Sequence, residues 1–184
     1  MNQEVALKKH MCIPFLDTNR GSGTEEWARI DKSTIFSLNP NPQTETRDYI
    51  CYETPETEIT HYEPELPQEI VMNAGNPMYD FVFGIFYDLP TGEDAKVPAL
   101  ICFPPDSEGA MKAWKVPGCV LQLGEMNTVD RKISFTLKLG GDIERGTYTV
   151  EAGKPTFKAG AAAAALRAPG DTVVTTTKAA KANA

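Results

Sequence analysis

Two histidines, four cysteines and a run of glutamates are the residues of this chain that could do chemistry. His10 and His61 stand far apart, and His61 is alone in an acidic stretch. A metal centre needs His, Cys, Asp and Glu gathered at ligand spacing, and no such group is present in the sequence. Cys12, Cys51, Cys102 and Cys119 are scattered with no C-x-x-C, so they read as reduced, buried small hydrophobes. A cysteine or serine nucleophile would need a histidine base, and neither histidine offers one in a recognisable context. Glu53, Glu56, Glu58, Glu63, Glu65 and Glu69 could supply the paired carboxylates of sugar hydrolysis. The plainer reading of six carboxylates in one proline-punctuated stretch is a solvated loop. RGSGTEE at 20–26 has neither the G-x-G-x-x-G spacing nor the lysine of a phosphate loop, and reads as a turn. Tyr79, Phe83, Tyr87 and Trp114 could form an aromatic sugar platform, although packing in a core or interface explains such residues more often. The sequence therefore assigns no catalytic, cofactor or metal residue, and the expectation is a protein that is not an enzyme.

The element around which the chain is organised is a helix predicted over 76–89, within GNPMYDFVFGIFYDLP. Met78, Phe81, Val82, Ile85, Phe86 and Leu89 recur at the spacing of one helical face. Asn76 is a good N-cap, Pro77 suits the first helical position, and Pro90 with Gly92 ends the run. Tyr79, Phe83 and Tyr87 make the opposite side aromatic, so this helix calls for burial on more than one side.

The remainder reads as β-structure. Strands are predicted at 27–38, ended by Asn39-Pro40-Asn41-Pro42, and at 45–52, with Tyr49, Ile50, Cys51 and Tyr52 as its apolar part. Residues 53–69 form a long acidic loop with a short edge strand at 57–62. A buried strand is expected within 95–104, then strands at 111–123, 129–139 and 146–151. In the 129–139 strand Ile133, Phe135, Leu137 and Leu139 alternate strictly with polar residues. Tyr148 and Val150 are expected to face inward. Residues 1–26 read as a polar, irregular arm, and 152–184 as an Ala/Thr-rich extension without a core of its own.

At 184 residues one domain is expected, and no apolar stretch approaches a membrane span. The N-terminus lacks an apolar export region, which predicts synthesis in the cytosol. The net charge of −7 is uneven. Lys154, Lys158, Arg167, Lys178 and Lys181 against Asp171 alone give 152–184 a charge of +4, which leaves −11 on 1–151. An acidic body opposes tight nucleic-acid binding, because that binding depends on Lys and Arg neutralising phosphates.

Five collinear segments carry a family resemblance: 27–40 (WARIDKSTIFSLNP), 48–69 (DYICYETPETEITHYEPELPQE), 75–92, 111–116 (MKAWKV) and 135–150 (FTLKLGGDIERGTYTV). Together they resemble the major tail, or tail tube, proteins of long-tailed bacteriophages and prophages. The resemblance implies a β-sandwich or barrel-like domain with one flanking helix, over 27–151. It also implies six copies forming a ring, with rings stacked into a virion tail tube that conducts double-stranded DNA without specific binding. Implied partners are other tail proteins: tape measure, tail tip and tail terminator. Tyr79, Phe83 and Tyr87 of the helix, with Glu56, Glu58 and His61 of the long loop, would then lie at subunit interfaces. Two alternatives stay open: the inner tube of a contractile tail, and a monomeric β-sandwich that binds a glycan on Trp27, Trp114 and nearby tyrosines.

Overall fold

A computed structural model describes residues 11–160. It is mainly β, with one curled half-barrel sheet and a single α-helix among the described residues. The larger sheet contains β1 (Ile13–Asp17), β2 (Trp27–Arg29), β6 (Ala99–Cys102), β7 (Lys112–Val116), β10 (Glu144–Glu151) and β11 (Lys154–Ala159). Its order is β11-β10-β7-β6-β1-β2, with every neighbouring pair antiparallel. The smaller sheet is β5 (Glu65–Val71), β9 (Lys132–Lys138) and β8 (Val120–Asn127), in the order β5-β9-β8. A separate hairpin pairs β3 (Pro42–Arg47) with β4 (Glu56–Tyr62). The helix, α1, spans Pro77–Asp88.

Two apolar clusters hold these layers together. The main one joins Leu16, Ala99, Ile101 and Val116 of the larger sheet to Leu66, Ile70, Leu121, Ile133, Phe135 and Leu137 of the smaller. Met78, Val82 and Ile85 of α1 complete it. The second cluster contains Phe15, Leu100, Cys102, Ala113 and Tyr148, with Ile13, Trp27 and Phe157 against it. Strand periodicity puts it on the other face of the curled sheet, since Phe15 pairs with Leu100 and Cys102 with Ala113. The central strand β6 is therefore buried on both faces, which is why its sequence is apolar without alternation. The curl brings β11 and β2, the two ends of the sheet, near one another. The Tyr148 hydroxyl, inside the second cluster, donates to the Phe103 carbonyl at 3.0 Å.

Several expected boundaries change. Residues 13–17 of the expected N-terminal arm are β1, with Phe15 and Leu16 buried, because IPFL fits between β2 and β6. Residues 154–159 of the expected C-terminal extension are β11, whose Phe157 lies opposite Tyr148. The expected loop 53–69 holds its expected strand, β4 at Glu56–Tyr62, and a second one that was not expected, β5. In β5, Leu66, Gln68 and Ile70 alternate inward, a period-two signal masked by its prolines. Pro67 is tolerated because β5 is a sheet edge. The strand expected at 27–38 stops after Arg29, and Lys32 follows in a left-handed conformation with φ 55°. This segment bridges β5 at Ser33–Ile70 and Asn39–Glu65, with no ladder opposite Pro67 between them. The strand expected at 45–52 lies instead at 42–47, and Tyr49 to Tyr52 form the connection. Val150, expected inward, is 40% exposed near the end of β10, whereas Tyr148 is buried. The alternation in β9 is as expected, and Leu139 beyond it is also buried. Expectations for 1–10 and 161–184 lie outside the described residues.

Candidate interaction surfaces

The first surface is built on α1. The Asn76 side-chain oxygen accepts from the backbone N–H of Met78 and Tyr79, both at 3.0 Å, while Pro77 opens the helix. Asn76 also donates to Asp31 at 2.9 Å, which ties the helix start to the segment after β2. At the other end Leu89 takes a left-handed conformation with φ 48°, and its N–H reaches the Ile85 carbonyl. Leu89 was expected on the inward face but is exposed, because that conformation turns the chain off the helix before Pro90. Met78, Val82 and Ile85 fix the buried stripe, so Tyr79, Phe83 and Tyr87 line up one turn apart on the other side. The Tyr79 and Phe83 rings stack with centroids 5.8 Å apart. Tyr79 is half-buried, Phe83 is 39% exposed and Tyr87 is 81% exposed. The result is a ridge of aromatic rings held rigidly by a buried helix.

The second surface is the β3–β4 hairpin, in which every residue of both strands is exposed. Glu56, Glu58 and His61 lie along β4 and are not near the helix ridge in any hydrogen bond or ion pair among the described residues. Arg47 pairs with Glu45 at 2.9 Å and approaches Glu58 at 4.0 Å, while Glu56 is the strand partner of Arg47. His61 bridges Thr60 and Glu63, at 3.1 and 3.2 Å. These groups form a charged ladder along the exposed hairpin. Among the described residues no group of three or more His, Cys, Asp or Glu is placed to hold a metal.

The sequence reading missed the hairpin tip. Between Arg47 and Glu56 the chain exposes Tyr49, Ile50, Cys51 and Tyr52, with Ile50 fully in solvent. The Tyr49 and Tyr52 rings meet edge to face at 5.9 Å, and the Tyr52 N–H bonds the Tyr49 carbonyl at 3.0 Å. Four adjacent apolar residues without period-two alternation were the available signal. Cys51 thus departs from the expectation of buried thiols, whereas Cys102 and Cys119 fit it. Burial pushes the thiol pKa of both up to about 12, with Cys12 adding to the effect on Cys102.

Two clefts lie beside these surfaces. One, at the hairpin base, is lined by Pro40, Tyr62, Trp114, Leu139, Ile143 and Arg145, and its volume is about 610 Å³. Trp114 packs edge to face on Phe103 at 5.0 Å, and the Arg145 guanidinium lies 6.0 Å from the Trp114 ring centre. The other cleft, about 840 Å³, follows the gap between β2 and β11 and includes Trp27. Trp27 donates to Glu25 at 3.1 Å. The two tryptophans therefore sit on opposite faces of the curled sheet and do not form the shared platform of the glycan reading.

No known family profile matches the sequence, and no curated protein sequence is similar to it. Among solved structures, the chain is similar to one in the cryo-EM structure of the PVC extracellular contractile injection system, sheath/tube terminator in the extended state. That match has a TM-score of 0.48 at 9% identity and covers 77% of this chain and 97% of the other. It is also similar to a chain of the six-fold symmetrised baseplate of the anti-feeding prophage, with a TM-score of 0.45 at 11% identity, covering 78% and 97%.

Proposed function

We propose that the chain is a structural subunit of a phage tail that assembles with copies of itself into six-membered rings stacked as a tail tube. The observation that carries this reading is the aromatic ridge Tyr79–Phe83–Tyr87. A helix already anchored by Met78, Val82 and Ile85 needs no exposed aromatic row for its own stability. Contiguous exposed aromatics on a rigid element are characteristic of protein interfaces. The five sequence segments that resemble tail tube proteins support the same reading. So does the curled sheet, because its two end strands are edges that a ring of copies could cover. Double-stranded DNA would pass through such a tube, and the acidic body opposes its adhesion to the wall.

Electron microscopy and size-exclusion chromatography at rising protein concentration test the proposal. The expected result is hollow tubes or stacked rings from the wild type. Phe83→Asp and Tyr87→Asp should each give a folded monomer that does not polymerise, because a charge on the ridge cannot be desolvated against a partner. Tubes of normal length from either variant would remove the ridge from the interface. A wild type that stays monomeric, even when seeded with tail-tip complexes, would overturn the proposal.

A further inference from the structure

We infer that the tip of the β3–β4 hairpin docks in the hairpin-base cleft of a second copy of this chain, through apolar contact and pairing of its carboxylates with Arg145. The inference rests on the self-assembly reading and names the contact that drives it.

Three observations support this match. The first is that each surface lacks a partner among the described residues of the single chain. Ile50, Tyr49 and Tyr52 form an exposed apolar tip, while Tyr62, Trp114, Leu139 and Ile143 line an open cleft of about 610 Å³. That volume falls within the roughly 300–1,000 Å³ of pockets that take up a compact ligand-sized group.

The second is charge. Asp48 and Glu53 flank the tip, and neither belongs to an ion pair among the described residues. Arg145 in the cleft likewise has no carboxylate partner among the described residues; it rests near the Trp114 ring. The other cleft cation, Lys138, is already paired with Glu65. One unpaired guanidinium beside an aromatic wall thus faces the chemistry that the tip offers, acids next to apolar rings.

The third is reach. The cleft includes Pro40, Asn41, Tyr62 and Glu63, which are the base of the same hairpin. A six-residue paired strand spans about 20 Å at the usual rise, and its ladder holds the tip away from its own base. Tip and cleft can therefore meet only between molecules. A tip-to-cleft contact joins two different patches, so every docked copy presents a free tip or a free cleft to the next, and the contact propagates.

The test uses the full chain, with self-association followed by sedimentation velocity and electron microscopy. Arg145→Glu should weaken self-association at least tenfold while leaving the circular dichroism spectrum unchanged. Adding Asp48→Arg and Glu53→Arg to that variant should restore at least half of the loss, a recovery that a merely destabilised sheet would not show. Ile50→Asp should weaken association to a similar degree. If Arg145→Glu and Ile50→Asp both assemble as the wild type does, while Phe83→Asp does not, the tip-to-cleft contact is overturned and the tail-subunit reading stands. A loss in Arg145→Glu that the charge-reversed tip fails to rescue also overturns the contact. A wild type that is monomeric under all conditions overturns both.

Discussion

Asp17 is a fully buried carboxylate at the end of β1 that belongs to no ion pair among the described residues. It is instead solvated by backbone. Its oxygens accept from the N–H groups of Asn19, Gly21 and Glu26 at 3.1, 2.8 and 2.9 Å. Those three bonds wrap the connection to β2 around the carboxylate and so place Trp27 at the sheet end. Gly21, with φ 73°, supplies the left-handed residue that this wrap needs. Asp17→Ala leaves three donors without a partner, and should cost about 3 kcal/mol of stability. Asp17→Asn, which keeps one acceptor oxygen, should cost less. Urea unfolding monitored by tryptophan fluorescence measures both, and equal midpoints for wild type and Asp17→Ala would show that the loop is held by something else. RGSGTEE was legible as a turn, but its dependence on Asp17 was not. An aspartate followed by polar and glycine residues has the same local sequence whether it is buried or solvated.

At the scale of elements, helix and strand differ in how completely the sequence specified them. The limits of α1 were readable because its cap, its first proline and its buried stripe are all local signals. The β5–β9 pair shows what was not readable. Its outward face carries the cross-strand ion pairs Lys132–Glu69, at 2.5 Å, and Lys138–Glu65. The hydrogen bond from Lys138 chiefly holds the Glu65 carboxyl below its ordinary value of 4.5, and that from Lys132 does the same for Glu69. A carboxylate with a lowered folded pKa contributes stability that is fully present above the unfolded value, near 4.5 here, and is lost as pH falls through the folded value. The urea midpoint should therefore hold steady down to the unfolded value near 4.5 and fall as pH drops further, toward the folded value. The double variant Glu65→Gln, Glu69→Gln should show a flatter acid limb, and an unchanged limb would assign the acid sensitivity to other groups. In the sequence these glutamates belonged to an acidic, proline-broken stretch, and only pairing with β9 separates them from Glu56 and Glu58 on the free hairpin.

For the whole molecule, the curled sheet makes both ends of the described chain part of the fold. β1 and β11 each cover the second apolar cluster, where Phe157 lies beside Tyr148 and Gly146. A side chain at Gly146 would meet the Phe157 ring at 2.8 Å, so the glycine is the floor on which that ring packs. A chain cut after residue 152 loses β11, and the exposed Tyr148 and lost Phe157 contacts should lower stability by about 3 kcal/mol or more. Equilibrium unfolding of the truncated chain checks this, and an unchanged midpoint would make β11 an appendage rather than a strand of the core.

The sequence by itself determined the mainly β class, the single helix with its caps and aromatic outer row, the doubly buried β6 and the alternation of β9. Each of these is set by residues close together in the chain, where periodicity and capping act. The tertiary structure alone decided that 13–17 and 154–159 are strands of the larger sheet, β1 between β2 and β6 and β11 at one end, and that the acidic stretch splits into a free strand and a packed one. It also decided that Trp27 and Trp114 face opposite ways and that Tyr49 to Tyr52 crown a projecting hairpin. Strand partners are chosen by contacts distant in sequence, and a short apolar run looks the same locally whether a neighbouring strand covers it or leaves it in water.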